Sequence, residues 1–184
     1  MFMAPRTSLF QKAIEQTKPF HSPGAEAGVG MLVVGDRLRR SFAAVVERGG
    51  VGTQQYNVLR ILRGAGKEGL PIRKIAARLI EKSPGITRFV DQLESRGLIR
   101  RQRSTQDRRK VFCTITKSGL RVLTELDRPV NEWEEWSLAM LNRRQLKQLI
   151  CLLESICSFQ SKVEGGQHDE PGSHRHGGRR SGRS

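Results

Sequence analysis

The chain has 184 residues, 33 Lys and Arg against 18 Asp and Glu, and a formal net charge of +15. An apolar fraction of 36% allows one folded domain with appended arms, and no run of about 18 apolar residues exists to span a membrane. A positive excess of this size favours a polyanionic partner, nucleic acid above all. Twelve basic against four acidic residues between Pro71 and Lys110 place +8 of the excess in that stretch. Residues Met1 to Phe20 lack the unbroken apolar stretch of a secretory signal, so a cytoplasmic location is expected, with no membrane partner. Cys113, Cys151 and Cys157 are odd in number and set among apolar residues, which does not make a disulfide framework.

Residues 1–28 mix Pro, Gly and polar residues and are expected to form a flexible arm, with a short helix at Ser8–Gln16. From Met31 to Arg48 the positions Leu32, Val34, Leu38, Phe42, Val45 and Val46 keep helical spacing, and Gly49 and Gly50 stop the helix; residues 29–50 form the first segment outside the arm. Thr53 is placed to cap a helix through Tyr56, Leu59 and Leu62 to Gly64. Pro71 suits the first position of the next helix, whose stripe is Ile72, Ile75, Ala76 and Leu79. After a turn at Ile80–Lys82, Ser83 is placed to cap a fourth helix with Pro84 at its first position, and Gly97 ends it.

That fourth helix has two faces. At about 100° per residue, Ile86, Val90 and Leu93 share one side, while Arg88, Asp91, Gln92 and Ser95 fall on the other. Leu98–Arg103 and Val111–Thr116 follow as two strands, the second alternating Val111, Cys113 and Ile115 with Phe112 and Thr114, and the basic segment Ser104–Lys110 joins them. Thr116 caps another helix to about Leu126, and Pro129 kinks or restarts it. Leu146, Leu149, Ile150, Leu153 and Ile156 form a further apolar stripe within residues 118–162, and residues 163–184 turn to low-complexity Gly, His, Ser and Arg too poor in apolar surface to order themselves.

Two short helices, a tight turn, a helix with a polar outer face and a basic hairpin make a winged helix-turn-helix over residues 51–117. The fold class expected is mainly α with a small β-hairpin wing, plus a helical dimerisation region. A helix entering the major groove needs one face for the core and one for base edges. Ser83, Pro84 and Gly85 give a slim entry whose free amides favour phosphate, Thr87, Arg88 and Gln92 stand on the outer face, and the Arg88 fork has the reach and shape for guanine. At the hairpin tip, Arg108, Arg109 and Lys110 suit phosphate or a narrow minor groove, with Asp107 orienting a neighbouring arginine. Cys113 fits a small apolar core position. Trp133 and Trp136 suit interface packing better than a cavity wall, and the histidines His168, His174 and His176 make no convincing metal site. No phosphate loop, metal cluster or nucleophile–histidine set is present, so no cofactor, no metal and no enzymatic activity are expected.

The segments KIAARL, ITRFVDQLESRGLIRR, DRRKVFCTIT and TKSG, spanning Lys74–Gly119, resemble the MarR family of bacterial transcriptional regulators. The family's wing reads D-x-R-D-x-R; here STQDRR keeps Asp107 and Arg109 and departs at Ser104 and Gln106. The resemblance implies that Arg109 enters the minor groove and that Arg88 lies on the recognition helix. It also implies a homodimer paired through the first and last helices, here Met31–Arg48 and Trp133–Phe159, with Leu38, Phe42, Leu146, Leu149, Ile150, Leu153 and Ile156 at the seam. A small aromatic effector between those helices and the reading head is a further implication. The expected function is a sequence-specific regulator of transcription, a ligand-responsive repressor on a pseudo-palindromic site in double-stranded DNA. The alternatives are an architectural protein that coats DNA without strong sequence choice, which the charge and the basic tail favour, and a winged-helix protein-interaction module.

Overall fold

A computed structural model of the chain describes residues 8–80, 85–103 and 111–166. The chain divides between Ser137 and Leu138 into two units, and the first holds the core. The α3 helix (Thr53–Ala65) buries Val58, Leu59 and Leu62 completely. They pack with Ile75 of α4 (Ile72–Arg78), Val90 and Leu93 of α5 (Ile86–Ser95), Cys113 of the strand at Val111–Ile115, and Leu123 and Leu126 of α6 (Lys117–Ser137). Each large side chain of this set stabilises the fold by about 1.5–3 kcal/mol relative to leaving it exposed.

The N-terminal segment departs from the expected flexible arm. Ser8 Oγ accepts from Gln11 N at 3.2 Å, Gln11 Oε1 accepts from Ser8 N at 3.0 Å, and α1 (Leu9–Ala13) follows. The Gln11 side chain then donates through Nε2 to Lys18 O at 3.0 Å, folding residues 8–18 around a buried amide. Phe10 lies against α2 (Pro23–Val46) so closely that a Cβ on Gly30 would stand 2.7 Å from its ring. Helix α2 itself begins at Pro23 rather than near residue 29, because Ser22 Oγ accepts from Ala25 N at 3.1 Å and Pro23 fills a first-turn position that needs no donor. Gly24, Ala25, Ala27 and Gly28 carry no hydrophobic periodicity, which hides those first turns in the sequence.

The winged helix-turn-helix expected over residues 51–117, the reading head, differs at three boundaries. Gly52, not Thr53, is the N-cap of α3, and its amide donates to Gln55 Oε1 at 3.2 Å. Leu70–Pro71 forms a short strand, β1, so the expected two-stranded hairpin is a three-stranded antiparallel sheet of order β1-β3-β2, with β2 at Ile99–Arg103 and β3 at Val111–Ile115. Pro71 stands at the sheet edge, where a missing donor costs least, and pairs in register with Phe112. Helix α5 starts at Ile86 with Gly85 at its cap position. At its other end Gly97 takes φ +67°, and Leu98 N and Gly97 N donate to Leu93 O and Glu94 O at 2.9 and 2.8 Å. This reverse turn is the one the sequence assigns to Gly97.

Thr116 caps α6 as expected, its Oγ1 accepting from Gly119 N at 3.1 Å. The helix does not stop near Leu126 or restart at Pro129 but runs through both to Ser137. Pro129 removes the donor for the Glu125 carbonyl, a loss the helix tolerates where Glu125 is exposed. Trp133 therefore belongs to α6, and the expected single last helix, Trp133–Phe159, is two.

In the second unit, α7 (Arg143–Gly166) is capped reciprocally by Asn142 and Gln145, with Gln145 N donating to Asn142 Oδ1 at 3.0 Å and Asn142 N to Gln145 Oε1 at 2.9 Å. It continues three residues beyond Val163, the point at which the sequence turns to low complexity. Along it Leu146 and Leu149 are half-buried, and Ile150, Leu153 and Ile156 are exposed.

Gly69 adopts φ +64°, and a Cβ there would collide with the Cys113 carbonyl oxygen. Gly69→Ala should lower stability by about 2 kcal/mol or more through backbone strain and displacement of β1. Urea unfolding measures this, and an unchanged midpoint would contradict the turn.

Candidate nucleic-acid interface

Because Val90 and Leu93 are fully buried, the opposite side of α5 must face outward. Thr87 and Arg88 are exposed there, and Arg88 forms no hydrogen bond or ion pair with another described residue. Gly85 precedes the helix with φ −85° and ψ 11°, its carbonyl accepting from Phe89 N at 3.2 Å. Ser83 and Pro84 lie outside the described residues, as do Asp107, Arg108, Arg109 and Lys110 of the wing. Gln92 is not a free member of the outer face. It is half-buried, and its Oε1 accepts from Gln55 Nε2 at 2.9 Å, fastening α5 to α3.

Arg73, Lys74 and Arg78 of α4 and Arg100 and Arg103 of β2 are exposed. Arg96, just past α5, donates to Gly50 O at 2.7 Å and ties the end of the helix to the loop before α3. Among the described residues between Pro71 and Arg103, the carboxylates are Asp91 and Glu94 alone.

One arginine engages both. Arg101, opposite Cys113 in the register of β2 and β3, has a side chain only 26% exposed. Its Nη2 donates to Asp91 Oδ1, its Nε stands 3.3 Å from Glu94 Oε2 as an ion pair without an aligned hydrogen bond, and its backbone amide donates to Glu94 Oε1 at 3.0 Å. Burial lowers the Arg101 pKa, but the hydrogen bond to Asp91 and the charges of Asp91 and Glu94 outweigh it, so the guanidinium is held charged. The sequence shows Arg101 only as one of several basic residues at a strand start. Its place two residues after the buried Ile99, on the covered face of β2, was the available signal.

Beside the reading head, an aromatic group joins three helices. Phe42 of α2 meets Tyr56 of α3 edge-on with centroids 5.5 Å apart and Trp133 of α6 at 4.9 Å. Trp133 Nε1 donates to Ser41 Oγ at 3.0 Å, and Arg60 lies over the Tyr56 ring and donates to its hydroxyl at 2.9 Å. Phe42, expected at a dimer seam, is thus packed within its own chain, whereas Trp136 is 69% exposed.

Two short helices backed by a three-stranded antiparallel sheet, the second helix carrying outward an arginine without a partner among the described residues, define a winged helix-turn-helix. The MarR family model matches residues 53–111. The solved structure of a MarR transcription factor from Planctomyces limnophilus is 35% identical, covers 74% of this chain and 98% of that one, and superposes with a TM-score of 0.58. The HTH-type transcriptional regulator FarR of Neisseria gonorrhoeae is 23% identical over 145 residues, 79% of this chain and 98% of its own. A mutant MarR from E. coli complexed with operator DNA shares the fold, with a TM-score of 0.65 at 19% identity over 82% of this chain and 99% of that one. The chain belongs to the MarR family, a family of transcriptional regulators. No helix of the described residues is long and apolar enough to cross a membrane.

Burial raises the pKa of the Cys113 thiol, against the weaker opposing pull of Arg101. A raised pKa keeps the thiol protonated, so alkylation of Cys113 should stay slow and should not accelerate between about pH 7 and 8.5, the ordinary thiol range. Peptide mass spectrometry after iodoacetamide treatment reports this directly, and labelling of Cys113 as fast as that of a small free thiol would contradict the burial.

Proposed function

We propose that the protein is a sequence-specific transcriptional repressor that binds double-stranded DNA as a homodimer and is released by a small aromatic effector. The observation that carries this reading is Arg88, exposed and unpaired among the described residues on a helix whose other face is fully seated in the core. The basic surroundings on α4 and β2 supply the phosphate attraction, and the relative of known structure with operator DNA shares the fold. The cluster of buried Tyr56, half-buried Phe42 and Trp133 and exposed Arg60 offers aromatic faces and a cation of the kind an aromatic acid needs. Release of bound duplex by a panel of such acids tests that part, and no release by any of them counts against it.

Binding to a duplex should weaken by about 10³–10⁵ between 50 and 200 mM salt if 6–10 phosphates are engaged. Arg88→Ala should reduce discrimination at one base pair per half-site, costing about 1–3 kcal/mol there. Footprinting on a selected duplex separates the possibilities. A short protected palindrome supports the repressor, continuous protection means the architectural alternative, and equal losses on specific and random DNA would move Arg88 to the backbone.

The homodimer rests on α7. A 24-residue helix displaying Leu149, Ile150, Leu153 and Ile156 is too apolar for a free surface, and we assign that stripe to a second chain. Two recognition helices spaced by one DNA turn, about 34–36 Å, then read a pseudo-palindrome. Leu149→Asp with Leu153→Asp should yield monomers in sedimentation and, through the lost second contact, an affinity lower by about two orders of magnitude or more. A doubly substituted protein that stays dimeric places the interface elsewhere.

A further inference from the structure

Helix α5 holds one cation, Arg88, and two carboxylates, Asp91 and Glu94. Alone it carries a net negative charge, which phosphate repels. Arg88 and Asp91 are three residues apart, the spacing at which oppositely charged side chains on a helix meet. They do not pair. The Asp91 carboxylate is taken by Arg101 Nη2, and Glu94 is held by the Arg101 amide at 3.0 Å and by its Nε at 3.3 Å. Arg101 wins that competition for physical reasons. Its side chain is only 26% exposed and lies against both Asp91 and Glu94, whereas Arg88 is exposed and screened by water.

We infer that Arg101 is a positioning residue for DNA binding. By drawing Asp91 and Glu94 against β2, it prevents Asp91 from pairing with Arg88 and leaves Arg88 free to reach the duplex. Arg101 itself need not touch DNA. The inference rests on the DNA-binding reading above and adds to it the residue that keeps the reading arginine available.

The probe is a duplex enriched from a random pool by the parent protein. Arg101→Met keeps the aliphatic length and should weaken binding to that duplex about tenfold, with circular dichroism and a cooperative melt confirming the fold. Asp91→Asn should then raise affinity at least about threefold more in the Arg101→Met background than in the parent, because only there is Asp91 free to capture Arg88. The coupling should vanish when Arg88→Ala is added to both backgrounds; coupling that persists without Arg88 is repulsion of phosphate by the unpaired Asp91 alone and overturns the inference. Equal effects of Asp91→Asn in both backgrounds, or parental affinity of Arg101→Met, overturn the inference. Should Arg101→Met fail to fold, Arg101→Lys, which keeps the charge and loses the fork, must show the same coupling at smaller size, and its absence there overturns the inference equally. Failure of the parent to enrich any duplex is a different result, because it removes the DNA-binding reading itself.

Discussion

Val90 and Leu93 have no exposed surface, and Ile86 packs beside them against the same core. Three seated apolar positions in ten residues leave α5 a single rotational setting. Arg88 lies about 160° from Val90 around the helix, so it points outward as a consequence of core packing rather than of any contact of its own. Turning the helix to bury Arg88 would expose two large side chains at about 1.5–3 kcal/mol each and place an uncompensated charge in the core. The same seating fixes where Gly97 reverses the chain, and that turn aims β2 back along α5, bringing Arg101 to Asp91 and Glu94.

The core of the reading head was legible because its elements are long enough to display a period. Tyr56, Leu59 and Leu62, then Ile72, Ile75 and Leu79, mark two helices, and Cys113 sits fully buried at the inward position its alternation assigns. Features without a period were not legible. Two residues, Leu70 and Pro71, cannot show alternation, and their strand exists only because β3 offers partners. The first turns of α2 are Gly and Ala, visible only through the Ser22 cap. Pro129 signals a break by local propensity, yet packing of Leu126 and Val130 on either side carries α6 through it. Spacing assigns Gln92 to the outer face of α5, and a partner 37 residues earlier gives it another role.

Charge pairing in the head is lopsided in a way that composition alone conceals. Both described carboxylates between Pro71 and Arg103 are gathered on Arg101, while Arg73, Lys74, Arg78, Arg88, Arg100 and Arg103 remain exposed. An excess of positive charge spread evenly would attract polyanions weakly from every direction. Concentrating the acids on one interior-facing arginine sharpens the field at the surface where α5 projects, which favours oriented encounter as well as attraction.

The path from α2 and α6 to α5 is short and made of named contacts. Phe42 of α2 and Trp133 of α6 close on Tyr56 of α3, and Gln55, one residue before Tyr56, holds Gln92 of α5. These contacts join α2 and α6 to α3, and α3 to the helix that carries Arg88. Contact continuity alone makes a route and not a switch, because a switch needs an occupant that binds two arrangements unequally. The aromatic cluster lies on that route, with the Phe42 ring 5.5 Å from Tyr56 and 4.9 Å from Trp133, packing too close to leave space between the rings.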